Sequence, residues 1–352
     1  MIRQPFNTPL TRLLGIRTPV VSASMTGVSG AELAARVTKG GGFGFIGIGT
    51  DDGTKATAEL ARARTILGTP PSERVNVGIG FLGWLLNANP HAHQLVRTVL
   101  DGRPRALWFF AGDNHTPWIE FVRKYDAERG LGEAERTLIF VQLNSVEEAL
   151  KAVEDGVDAI VVQGIEAGGH GSTHALPLLT LLPTVLRALP PSSSSSPRPV
   201  VLTSGGLTHG PHLAALLALG AHGIALGTRF LVSPSSLYAP AKKAALLAAS
   251  SASAVRSFTF DELMPPAAWP AGMDGRALAN AILTDKDEGL EIEERKRLFK
   301  ESAEKGSDER LIVWAGVGVG LVDTVKEVED IVNELHDDAF ERIQTAAQMI
   351  GQ

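Results

Sequence analysis

Apolar runs without polar alternation recur at 18–24, 43–48, 75–81, 106–110, 137–143, 159–162, 199–203 and 223–226. A run of that kind is the mark of a strand covered on both faces, as in a parallel sheet. Between them lie stretches with helical spacing at 31–39, 54–67, 91–100, 118–128, 145–154, 178–189 and 211–219. Glycine or proline punctuates most of the joins, and Ser145-Val-Glu-Glu148 has the form of a capping box. Ser29 stands where an N-cap is expected for the helix at 31–39. Eight strands alternating with helices predict an α/β fold, a (β/α)8 TIM barrel ending near residue 232. An alanine-rich helix at 239–249 is expected to complete its outer ring.

The remainder is more polar and reads as a smaller, mostly helical C-terminal cap. The expected organisation is a cofactor-binding barrel over 1–250 and a substrate cap over 251–352. Dense mixed charge at 285–310 suggests a solvated face. The exception is Leu311-Ile-Val-Trp-Ala-Gly-Val-Gly-Val-Gly-Leu321, apolar and glycine-rich, which is expected to return to the barrel mouth. The serine run at 192–196 between prolines reads as a surface insertion.

Composition narrows the chemistry. The 352 residues carry 33 basic and 39 acidic side chains, a net charge of −6. That disfavours nucleic acid or an anionic membrane as the principal partner. There is no cysteine, which removes disulfides, thiolate metal sites and a thiol nucleophile. No signal-peptide core and no membrane-length apolar run is seen, so a soluble, cytoplasmic protein is expected. Two Gly-x-Gly-x-x-Gly matches, at Gly42/Gly44/Gly47 and Gly78/Gly80/Gly83, lack the strand–glycine–helix order and the following acid of a dinucleotide fingerprint.

The candidate chemistry gathers where the sixth strand ends. Asp158-Ala-Ile-Val-Val-Gln163 runs into Gly168-Gly169-His170-Gly171, a titratable ring between glycines at the carboxyl end of a barrel strand. Imidazole changes protonation near working pH, which makes His170 the candidate general base. His174 lies four residues on, but no carboxylate pattern accompanies the pair and the segment is not helical, so no metal is expected. Ser204-Gly205-Gly206 and Gly227-Thr228-Arg229 follow strands seven and eight, the place where barrels commonly hold a phosphate.

Gln163-Gly-Ile-Glu-Ala-Gly-Gly-His170-Gly resembles the signature of the nitronate monooxygenase family, formerly the 2-nitropropane dioxygenases. Ser24-Met25-Thr26-Gly27, Thr203-Ser204-Gly205-Gly206-Leu and Ala225-Leu-Gly227-Thr228-Arg-Phe are similar to that family in the same order. So are Phe260-Asp-Glu-Leu, Trp269-Pro-Ala-Gly-Met-Asp-Gly-Arg276 and Trp314-Ala-Gly-Val-Gly-Val-Gly-Leu. The resemblance implies an FMN enzyme that oxidises alkyl nitronates with O2 to carbonyl compounds and nitrite, with propionate 3-nitronate one candidate substrate. It implies that Ser24, Met25, Thr26 and Gly27 line the flavin ring and that Gln163, Gly168 and Gly169 contact it. Ser204, Gly205, Gly206, Gly227 and Thr228 would hold the phosphate, and His170 would take the α-proton of a neutral nitroalkane or orient the anionic nitronate. Gly78-Ile-Gly80 departs from the family's Gly-Val-Asn, so no flavin contact is expected from that strand. An FMN-dependent NAD(P)H enoyl reductase is the alternative, and a non-catalytic flavin-binding protein a further one.

Overall fold

The computed structural model describes residues 3–49, 53–112, 114–192, 198–264 and 269–350. Apart from Ser192, the serine run at 192–196 lies outside them, as do Asp51 and Asp52. The strands in chain order are β1 (Val20–Ser22), β2 (Phe45–Gly47), β3 (Val75–Leu82), β4 (Pro104–Phe110), β5 (Leu138–Leu143), β6 (Ala159–Gln163), β7 (Gly169–Ser172), β8 (Val200–Ser204), β9 (Gly223–Leu226), β10 (Ala254–Ser257) and β11 (Met273–Leu278). Eight of them form one parallel sheet in the order β1-β9-β8-β6-β5-β4-β3-β2. Parallel bridges Val21–Phe43 and Thr26–Gly47 join its two ends, so the sheet curls into the expected barrel.

Alternate residues of each strand face two different cores. Outward, Val77, Ile79, Leu107, Phe109, Ile139, Ile160 and Val162 pack under the surrounding helices. Inward, Phe43, Phe45, Trp108, Phe140, Val161 and Leu202 fill the barrel. Phe45 meets Trp108 and Phe140 edge-on at 4.9 and 5.2 Å, while Trp108 and Phe140 stack at 6.2 Å. Such pairs add about 0.5–1.5 kcal/mol each beyond their burial. The short helix Pro9–Leu14, capped at Thr8, plugs the N-terminal end with Leu10 and Leu14. Chemistry is thereby left to the other end of the barrel.

The outer ring closes differently from expectation. The helix Pro240–Ala248 does not complete it; its buried Leu246 joins a separate cluster with Leu231, Val313 and Val319. The place is taken by the last helix, Val328–Gln348, which packs on Gly210–Ala218 and Ala31–Lys39. Its Val328, Ile331, Val332, Leu335 and Ala339 recur at helical spacing and enter the outer core. The chain inserts everything from residue 232 to 327 between the eighth barrel strand and that strand's helix. The insertion is also less helical than expected. Within it β10 and β11 pair antiparallel, and β11 then pairs with β7 in the loop after β6.

Several imidazoles besides His170 are wholly or partly buried. His336, on the last helix, is 2% exposed, with Nδ1 2.9 Å from the Thr18 hydroxyl and its ring edge-on to Phe6. Burial pushes it, together with His209, His212 and His222, below the ordinary histidine range, and pushes His115 down to about 4. Each is neutral in the fold where the unfolded chain would take a proton. The stability they contribute is complete above the unfolded value near 6.5 and is lost as pH falls towards the folded one. His115 alone should cost about 3 kcal/mol between pH 6.5 and 4. Urea melts at pH 7, 5.5 and 4.5 should show that fall, and His115→Phe should flatten it. An unchanged slope in the variant would remove His115 as its source.

Candidate active site

Every residue expected at the site lies at, or just beyond, the C-terminal end of β1, β6, β8 or β9. The loop after β1 is held down by glycines on the neighbouring strands. A Cβ on Gly47 would sit 2.3 Å from the Met25 carbonyl carbon, and one on Gly80 would sit 2.0 Å from Ser24 Oγ. Hence Gly80 stands where a larger residue would evict Ser24, and Asn76 lies at the opposite end of β3. Met25 Sδ approaches to 3.4 Å of the Cβ position of Gly227, linking the loops after β1 and β9. Thr26 and Gly27 are exposed at the rim.

Ser29 fixes this turn rather than capping the next helix. Its Oγ accepts from the N–H groups of Met25 (2.8 Å) and Gly47 (3.1 Å), whereas the Ala31 N–H donates to the Glu59 carboxylate. Ser29→Ala should cost about 1–3 kcal/mol, the usual effect of orphaning a buried donor. It should also loosen the Met25 turn, so the purified variant is expected to hold less of the flavin that the family resemblance implies, at equal dilution. Full flavin retention would show that the turn does not shape the pocket.

A second group surrounds the return segment. A Cβ on Gly168 would lie 2.3 Å from Gly316 N, and one on Gly206 would lie 2.9 Å from Val317 Cγ2. Gly316 N–H donates to the Thr228 hydroxyl (3.0 Å), and Val317 N–H donates to the Glu166 carbonyl (3.1 Å). Gly205 is packed over Gly164 and Ala167. The return segment therefore touches Gly168, Gly206 and Thr228, with Gly205 beside them.

Donors suited to an anion lie beside them. The hydroxyl of Ser204, at the end of β8, is buried with no partner, as is that of Thr203 on the strand's other face. The N–H groups of Gly205 and Gly206, with φ of +122° and +69°, find no acceptor among the described residues. Successive free amides in such a turn favour a phosphate. The residues present thus fit the phosphate end of a flavin mononucleotide.

His170 occupies the centre. The segment expected to be an open glycine loop is instead a short strand, with His170 opposite Gly275 of β11. Gln163 donates from Nε2 to the His170 carbonyl (3.2 Å), and its Oε1 accepts from Asn144 Nδ2 (3.0 Å). Asn144 in turn accepts the Ser172 N–H, and its own N–H donates to Glu148. The expected capping box is therefore half formed. Ser145 accepts from Glu148 N–H, while the Glu148 carboxylate reaches one residue further back.

The imidazole is held by the insertion. His170 Nε2 lies 2.7 Å from Asp261 Oδ1. Trp269 stacks on the ring at 3.8 Å and 9°, and Trp314 meets it at 4.7 Å and 55°. Trp84 and Phe110 extend the aromatic wall beside Trp269. Gly275 gives Trp314 its seat, since a Cβ there would lie 2.2 Å from the indole. His174 is exposed and takes no part. Sequence reasoning assigned no role to Asn144, Asp261, Trp269 or Trp314, although the last three stand in its quoted motifs.

The nitronate monooxygenase family model matches residues 122–338, well over half of the chain. A nitronate monooxygenase of Neurospora crassa is 32% identical over 92% of this chain and 90% of its own length. The chain belongs to the nitronate monooxygenase family. It is thus an oxidoreductase of a flavin-dependent family. Among solved structures, FabK from Thermotoga maritima superposes with a TM-score of 0.74 at 24% identity, covering 98% of this chain and all of that one. A nitroalkane oxidase from Streptomyces ansochromogenes superposes with a TM-score of 0.71 at 24% identity, covering 96% and 99%. At that identity both likenesses speak to the fold alone. No helix among the described residues is long and apolar enough to cross a membrane.

Proposed function

We propose that this chain binds FMN across the barrel mouth and uses O2 to oxidise small alkyl nitronates to a carbonyl compound and nitrite. The observation that carries the reading is His170, anchored to Asp261 and walled by tryptophans, at the strand ends beside the glycine loops. Met25, Thr26 and Gly27 would bound the flavin ring, with Ser24 supporting them from beneath and Gln163, Gly168 and Gly169 beside it. Ser204, Gly205, Gly206, Gly227 and Thr228 would hold the phosphate. The flavin, when bound, accepts the electrons and passes them to O2. The chain supplies the rest.

With a neutral nitroalkane, the α-proton goes to His170. The imidazolium so formed is stabilised by the Asp261 carboxylate and by the π-face of Trp269. With a nitronate already ionised, no proton need move, and His170 serves to orient the anion. Trp84, Phe110, Trp269 and Trp314 exclude water and favour a short apolar chain.

The deciding experiment mixes purified yellow protein anaerobically with ethyl nitronate, and separately with NADH. Bleaching by nitronate, followed by nitrite release when O2 is admitted, is the expected result. Bleaching by NADH alone would instead place the chain with the NAD(P)H-dependent enoyl reductases. The same assay with propionate 3-nitronate reads whether that metabolite is accepted.

A further inference from the structure

We infer that Asp261 is a positioning residue that fixes the tautomer of His170, so that Nδ1 and not Nε2 is the atom that receives the substrate proton. The inference rests on the reading of His170 as the base. Its starting point is geometric: the two side chains are 11% and 8% exposed and meet at 2.7 Å through Nε2 and Oδ1. An ionised carboxylate can only accept, so the neutral ring must carry its hydrogen on Nε2 and its lone pair on Nδ1. His170 Nδ1 makes no hydrogen bond among the described residues. The proton balance is simple. The substrate C–H bond breaks, its electron pair stays on the nitronate, and the proton arrives on Nδ1 to give an imidazolium whose Nε2–H remains on Asp261.

Asp261 is placed to hold this bond without rearrangement. It lies on the 3-10 turn Phe258–Leu263, opened by Ser257, whose hydroxyl accepts from the Thr259 N–H. On one side, Phe260 is fully buried among Leu263, Ala277, Ile282 and Ile312. On the other, Glu262 is fixed by the buried Arg295 and by Lys286 at 3.0 Å. Asp261 Oδ2 is buried and has no partner, so the bond to His170 is the only one its carboxylate makes among the described residues.

Other charges near the ring are already engaged. Arg256 pairs with Asp274 and with the Gly171 carbonyl, Arg276 donates to the Ala254 and Ile165 carbonyls, and Glu166 accepts the Leu178 N–H. An acceptor at Nε2 is therefore supplied by Asp261, 91 residues away in sequence.

The test uses the flavin-loaded enzyme with Asp261→Asn beside His170→Asn. Asp261→Asn should lower kcat/KM for neutral nitroethane on the order of 10²-fold, within the range of lost acid–base assistance, and for ethyl nitronate no more than about threefold. The acidic limb of its nitroethane pH profile, where activity rises as His170 loses its proton, should move to lower pH, because the imidazolium has lost its anion. Wild-type rates and an unmoved profile in Asp261→Asn, with nitroethane turnover abolished in His170→Asn, would overturn the pairing and leave the base reading intact. Retained nitroethane turnover in His170→Asn would remove the base itself. Equal losses on both substrates with an unmoved profile would make Asp261 merely structural, overturning the inference. Should Asp261→Asn fail to fold, 15N spectra of the wild-type histidines decide, with the His170 signals assigned by their loss in His170→Asn. A hydrogen on Nε2 supports the inference, and one on Nδ1 overturns it.

Discussion

His170→Asn is expected to reduce turnover of neutral nitroethane by roughly 10²–10⁴, the range for loss of a positioned acid–base group. Turnover of ethyl nitronate should fall much less. The asymmetry follows from what each substrate needs. Nitroethane must lose an α-proton before it can be oxidised, and His170 is the imidazole at the barrel mouth with an anion and two indoles around it. Asparagine can fill part of the same space, but it has no basic nitrogen to accept a proton. Ethyl nitronate has already lost that proton, so it forfeits only an orienting contact. The check is a pair of kcat/KM values on one preparation at one flavin occupancy. Equal losses on the two substrates would mean that His170 shapes the pocket without taking the proton.

The barrel was legible because its strands are buried on both faces, and apolar runs such as Ala159-Ile-Val-Val declare this without any partner in view. Ring closure was not. A helix of mixed alanine and lysine at 239–249 follows the eighth strand in sequence, and nothing local reveals that an insertion has intervened. The stripe Val328, Ile331, Val332, Leu335 and Ala339 lay inside what read only as a helical cap, and nothing local told which core would receive it. The strand character of Gly169-His170-Gly171 was hidden for the same reason. Glycine-rich sequence carries little strand preference, and the pairing is imposed by β11 about a hundred residues later. His170 could be singled out from its setting. Asp261 could not, because its meaning depends on a contact across 91 residues. Ser29 shows the same limit at short range, since its hydroxyl had two uses open to it and the close approach of Gly47 selected the turn.

Gly168→Ala is expected to cost about 3 kcal/mol or more, at the upper end of overpacking penalties, and to lower flavin occupancy roughly tenfold. The added Cβ would lie 2.3 Å from Gly316 N and 2.4 Å from the Ala315 carbonyl carbon. Both are backbone atoms, so no rotamer change relieves the contact. Moving that backbone strains three bonds that fasten the return segment: Ala315 N–H to Arg276, Gly316 N–H to Thr228 and Val317 N–H to Glu166. Thr228 and the glycines after β8 are the proposed phosphate site, so a shift of the segment reaches the cofactor directly. Gly156→Ala supplies the contrast. Gly156 has φ of +68° but nothing within 4 Å of a new Cβ, so the substitution should cost about 1–2 kcal/mol of left-handed strain and leave the flavin in place. Urea melts and the flavin absorbance of the purified variants separate the two effects. Full flavin content in a folded Gly168→Ala protein would detach the return segment from cofactor binding, and the glycines at 316 and 318 would then serve packing alone.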